Sequence, residues 1–176
     1  DSGLRVLNEL AQGPLRHDRA FQQAFRTRQP ALDHDGQFAR SLKDKPVVLG
    51  MVFSQNPGTP RNAAPSPFVT LPPDAAEALP GLIRPESFTA NLDQLSQSAP
   101  ITGFFDNPSI DSDGIFRRVP LLQLYQDKLY PSLALASAHM ALGNPPVQLV
   151  TGKSAGYEEI EGVALGDRVI PTDREG

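Results

Sequence analysis

At 176 residues the chain fits one domain and is long enough to bury about 70% of its unfolded surface, so a real core is within reach. Its 16 Lys and Arg against 20 Asp and Glu leave a net charge of −4, with no basic run long enough to follow a phosphate backbone, which excludes nucleic acid as a partner. The absence of cysteine excludes disulfides and thiolate metal sites. In chain order, residues 4–11 place Leu4, Leu7, Leu10 and Ala11 on one helical face, and Gly13-Pro14 ends that segment. A second helical stretch follows, with Phe21, Ala24 and Phe25 in a narrow apolar stripe and Arg16, Arg19, Arg26 and Arg28 turned to solvent. Asp33-His34-Asp35-Gly36 offers two N-cap candidates for a third helix through Phe38, Ala39 and Leu42, which must end before Pro46.

Val47 to Phe53 is an unbroken apolar run, too short for a helix, and reads as a strand buried on both faces. From Ser54 to Pro73 the prolines at 57, 60, 65, 67, 72 and 73 leave room for no regular element except a Phe68–Leu71 fragment. A loop of that length inside a compact domain is either mobile or covers a site. Asp74–Leu79 and Asn91–Leu95 read as short helical turns. Ile101–Phe105 is an apolar strand, followed by the turn chemistry of Asn-Pro-Ser and Asp-Ser-Asp-Gly. The spacing predicts a second strand from Ile115, with Arg117 and Arg118 on opposite faces and Pro120 marking an edge, a bulge or an early end. Gln126-Asp127-Lys128 turns the chain back through Leu129-Tyr130, and Pro131-Ser132 opens an Ala-rich helix that stops at Gly143. Its apolar residues lie on more than one face, which predicts an inner helix between the sheet and another layer. Val147–Val150, Tyr157–Leu165 (with Ile160, Val163 and Leu165 inward) and Val169-Ile170 make the C-terminal third β.

Chemistry is sparse. Gly152-Lys153-Ser154 imitates the end of a phosphate-binding loop, but Val147 stands where the first glycine is required, so the segment reads as a turn leaving a strand. His17, His34 and His139 are far apart and lack a second ligand at helical or hairpin spacing, so no metal and no cofactor is expected. His139 reads as a hydrogen-bonded residue of the core. Setting Gly114 at the sixth position of a calcium loop puts Asp111 and Asp113 on early ligand positions but Pro120 where the bidentate Glu belongs. No Gly-x-Ser-x-Gly elbow and no nucleophile context for a histidine occurs, so no catalytic residue is assigned. The ligand-binding candidates are Arg84, Asp106, Asp111, Asp113, Arg117 and Arg118: arginine forks suit carboxylates and phosphates, while an ordinary ion pair with Asp106, Asp111 or Asp113 is the simpler role for these arginines.

The central stretch is a glycine-containing strand, Asp-Ser-Asp-Gly, Ile-Phe-Arg-Arg-Val-Pro-Leu, a small turn, Tyr-Pro-Ser-Leu-Ala-Leu and an Ala-rich helix. In that order it resembles the CHASE type two domain, the extracytoplasmic sensory module in front of bacterial adenylate cyclases, histidine kinases and Ser/Thr kinases. Asp35–Gly50 and the closing Ile-Pro-Thr-Asp-Arg-Glu-Gly agree with it. The resemblance implies a single sensor domain over residues 1–176, cut at both ends relative to the family, with the membrane segments outside this chain. The fold class expected is α/β, a mixed, partly parallel sheet containing Val47–Phe53 and Ile101–Phe105, flanking helices and a long Pro-rich loop. The function expected is a non-catalytic input that binds an unknown small-molecule or physical stimulus and biases a cytoplasmic cyclase or kinase. The alternatives are a periplasmic hydrolase whose carboxylates are distant in sequence, and a structural module that forms homodimers.

Overall fold

The computed structural model describes residues 2–108, 113–154 and 157–176, so Asp111 lies outside the described residues. The chain opens with two helices, α1 (Ser2–Gln12) and α2 (Arg19–Leu32), packed on each other, with Phe25 as the buried residue of α2. Asp18 caps α2 by accepting from the Phe21 N–H, and Asp33 does the same for α3 (His34–Leu42) through the Gly36 N–H. Leu42 then joins Leu49 and Ala99 in a small cluster at the start of β1 (Leu49–Ser54).

β1 alternates: Leu49, Met51 and Phe53 face inward, while Val52 on the other side is 37% exposed. The expectation of a strand buried on both faces is therefore corrected. An apolar run does not say which of its faces will be covered, and here the outer one is left half open. The long loop after β1 is tied down along its length. Arg61 bridges to Thr89, the Asn62 amide donates to Ala90 O, the Ala63 N–H donates to Asp93, and a two-residue strand β2 (Val69–Thr70) forms inside the predicted fragment.

After α4 (Pro73–Glu77) comes β3 (Ser87–Thr89), a strand not predicted from the sequence, then α5 (Asp93–Ser98) and β4 (Thr102–Phe104). β1 is the middle strand of the first sheet, antiparallel to β3 and parallel to β4 as expected for the Val47–Phe53 and Ile101–Phe105 segments. The strand expected from Ile115 is absent: residues 115–120 form no regular element, and Ile115, Phe116 and Val119 are more than half exposed. Pro120 has no N–H to give a ladder, so the strand begins only after it, as β5 (Leu122–Tyr125).

β5 and β6 (Lys128–Pro131) form a hairpin closed by Gln126 and Asp127, both at positive φ, as a two-residue turn of the I′ kind requires. Both faces of this hairpin are apolar. Leu122, Leu124 and Leu129 point to a large core shared with α4 and the C-terminal strands, while Tyr125 and Tyr130 point the other way, into an aromatic core with Met51, Phe53, Phe88 and Phe104. Burial, with Tyr125 beside it, pushes the Tyr130 phenol above its ordinary pKa.

Ser132 caps α6 (Leu133–Ala141) by accepting from the Leu135 N–H, and the helix ends before Gly143 at φ +81°. α6 is not an inner helix. Leu135 and Ala136 are buried, whereas Ala134, Ser137 and Ala141 are exposed, because the opposite side has no layer over it. His139, near the last turn of α6, bonds Pro145 O at 2.7 Å and lies 4.8 Å from the Phe68 ring, so it is half-buried and hydrogen-bonded.

The C-terminal part is an antiparallel sheet of β7 (Val147–Ser154), β8 (Tyr157–Leu165) and β9 (Arg168–Pro171). Lys153 lies inside β7 rather than in a turn leaving it, so the phosphate-loop imitation has no loop at all. Ile160, Val163 and Leu165 are buried, as expected. Their mixed spacing of three and two comes from a bulge: Val150 pairs with Gly162 and Thr151 with Ile160, so Glu161 is passed over and the inward face shifts by one residue.

Candidate functional site

β1 and β4 run side by side in the same direction, and beyond their carboxyl ends the chain must part company with the sheet. In α/β sheets that is where a crevice opens and ligands sit. Here the crevice is an open groove of about 440 Å³, lined by Phe104, Phe105 and Asp106 leaving β4, Val119 from the irregular segment before β5, and Ser132, Leu133, Ala134 and Ser137 at the start of α6. Its walls are mainly apolar. The exposed face of α6 described above forms one of them.

Asp106 is the only ionisable side chain among these lining residues, and its carboxylate is fixed from two sides. Oδ1 accepts from the Phe53 N–H at 2.7 Å and Oδ2 from Gln123 Nε2 at 2.8 Å. Gln123 is fully buried in the middle of β5, and its Oε1 has no hydrogen-bond partner. A buried amide with half its capacity unused costs stability, so the groove floor is arranged around the carboxylate rather than for tightest folding.

The other candidates part from Asp106. Arg84 donates to Ala76 O at 2.6 Å and Leu79 O at 3.3 Å, satisfying carbonyls at the end of α4. Arg117 grips Asp113 with two bonds of 2.9 and 2.7 Å, the ion-pair role that was the simpler reading of the sequence. The Arg117 guanidinium and, after it, the Ile115 N–H hold the Asp113 carboxyl below its ordinary pKa. Arg117→Gln is expected to return the Asp113 carboxyl towards that ordinary value, as read by carboxyl-carbon NMR. The pair is solvent-exposed, so little loss of stability is expected at neutral pH. The sign of the linkage follows from the lowered value: whatever the pair contributes is present above the unfolded carboxylate pKa and lost as pH falls through the folded one.

Arg118 lies 3.6 Å from Asp173 and lines a smaller groove of about 160 Å³ with Thr172, Glu175 and Gly176. Val119 lines both grooves, and the Asn107 amide pins this segment by donating to Arg118 O. Of the groove residues only Asp106 was singled out from the sequence, and Gln123, which holds its carboxylate, was not. Gln123 carried a signal, a single polar residue between two leucines of a buried strand. Val119 and Phe105 carried none, since exposure of an apolar residue cannot be read from its type. Among the described residues no three His, Asp or Glu side chains are placed to hold a metal ion.

The sequence matches the CHASE2 domain family over residues 6–176, nearly the whole chain. The chain belongs to the CHASE2 domain family. CHASE2 domains are extracytoplasmic sensory modules and are generally non-catalytic. No curated protein and no solved structure matches the chain. Among the described residues no helix is long and apolar enough to cross a membrane.

Proposed function

We propose that this CHASE2 domain takes a small-molecule stimulus into the Asp106 groove and passes a conformational bias, through membrane segments outside these residues, to a cyclase or kinase output. The observation that carries the reading is the double attachment of Asp106. One carboxylate at the groove floor holds the backbone of β1 and the side chain of Gln123 in β5, so a ligand that moves it acts on both sheets at once. A ligand shifts an equilibrium only as far as it binds two conformations with different affinity. The irregular segment 115–120 is the wall best suited to supply the second conformation, belonging to no helix or strand and exposing Ile115, Phe116 and Val119.

The experiment begins with the gene beyond both ends of these residues. Membrane helices on either side and a cyclase or kinase domain after them are expected, and the output of that full-length protein in vesicles should lose its response when Asp106 is replaced by alanine. A gene in which a signal peptide precedes this domain and a stop codon follows it overturns the receptor reading. A full-length Asp106→Ala protein that responds normally overturns the choice of groove.

A further inference from the structure

The lining of the groove selects among stimuli, and we infer that it takes an amphiphilic ammonium, a protonated amine carried on an apolar body. The inference rests on the reading of this groove as the stimulus site and adds the chemistry of what fills it.

Among the described residues the charge of Asp106 has no counter-ion. Its two oxygens receive one neutral donor each, a backbone N–H and an amide N–H, and no cationic side chain among the described residues pairs with it. The arginines nearest in sequence are spoken for, Arg117 by Asp113 and Arg118 by Asp173. Each carboxylate oxygen can accept a second bond, and the half-buried setting makes the unmade bonds to a cation worth more than they would be in bulk water. An aromatic side chain lines the same groove as this acceptor. Phe105 is 62% exposed yet lies against Gly50, where a β-carbon would come within 3.0 Å of its ring, so the ring is backed by the strand while much of it remains open. A carboxylate and an aromatic ring lining one groove are the two groups that bind ammonium, through a charge-assisted hydrogen bond and the negative face of the ring.

Leu133, Ala134 and Val119 supply the apolar remainder, and a groove of about 440 Å³ falls in the range that holds small ligands. The start of α6 carries partial positive charge and repels a cation. It therefore orients the ligand, with its ammonium towards Asp106 and its apolar body along the helix. A neutral apolar ligand would leave the carboxylate with its bonds unmade, and an anion would meet it directly.

The test compares three probes of one shape on the full 176-residue chain by calorimetry and thermal shift: 2-phenylethylammonium, 2-phenylethanol and 3-phenylpropionate. The ammonium is expected to bind about tenfold or more tighter than the alcohol, the usual advantage of a charged over a neutral hydrogen bond, and the propionate weakest. Asp106→Asn should bring the ammonium to the level of the alcohol. That variant keeps an acceptor for the Phe53 N–H, and its new amide can donate to Gln123 Oε1 if the glutamine turns over, so folding should survive. If it does not fold, the ratio within the wild-type chain decides alone. Binding of the alcohol or the propionate as tightly as the ammonium overturns the inference while leaving the groove as the site. Binding of none of the three overturns the groove together with it.

Discussion

Replacing Phe53 by alanine is expected to cost the domain about 3–5 kcal/mol, the range for emptying a large aromatic site in a packed core. Phe53 is 4% exposed and stands at the centre of the aromatic cluster, with ring centroids of Tyr130, Phe104, Tyr125 and Phe88 at 5.5, 5.9, 6.0 and 6.4 Å. Two of these are near-perpendicular contacts, which carry more than the buried area alone. The neighbours come from β1, β3, β4, β5 and β6, so no single element can close the hole by moving. Urea denaturation should show the midpoint falling with little change in slope. Val52→Ala, one residue away on the half-exposed face, should cost well under half as much. Equal losses at the two positions would contradict the assignment of faces on β1.

The second large effect is expected at Gly103. A β-carbon there would lie 2.5 Å from Leu133 Cα, 2.6 Å from Leu133 N and 2.7 Å from Ser132 O, all backbone atoms at the start of α6. No rotamer change can relieve such a contact, so β4 and α6 must separate. Overfilling a packed site typically costs about 1–3 kcal/mol, and a clash with three backbone atoms belongs at or beyond the top of that range. Gly114→Ala is the control. There a β-carbon meets nothing within 4 Å, and the cost is the strain of φ +79°, about 1 kcal/mol. A melting temperature for Gly103→Ala within a degree or two of wild type would show that α6 does not seat on β4 this closely. The groove would then lack its helical wall.

How much of this could be read in advance follows from what each residue had to settle locally. The three N-terminal helices, the strands within the 47–53 and 101–105 segments, the hairpin turned by Gln126-Asp127 and the inward set Ile160, Val163 and Leu165 were all legible. Caps, turn residues and periodicity act within a few positions. The failures share a different cause. Ile115, Phe116 and Val119 look like strand residues, but strand formation needs a partner edge, and β5 only begins to pair after Pro120. β3 was invisible because three residues carry no period, and its pairing with β1 was decided some thirty-five positions earlier in the chain. The outer faces of β1 and α6 looked buried because apolar residues do not announce that nothing will cover them. The groove stands in part on that last misreading, with the uncovered face of α6 as a wall. Of the six candidates only Asp106 lies on its lining among the described residues, and Gln123, which holds it, was found by the fold.

The hairpin of β5 and β6 belongs wholly to neither core. Successive residues of β5 serve opposite sides, with Leu122 and Leu124 in one cluster, Tyr125 in the other, and Gln123 reaching the carboxylate at the groove floor. It acts as a party wall: whatever leans on it from one room is felt in the next. A tilt of a few tenths of an ångström at Gln123 cannot be absorbed locally, because the leucines on either side are wedged among Leu135, Val163 and Leu165. The C-terminal strands therefore sit at the far end of a rigid lever whose near end is the groove.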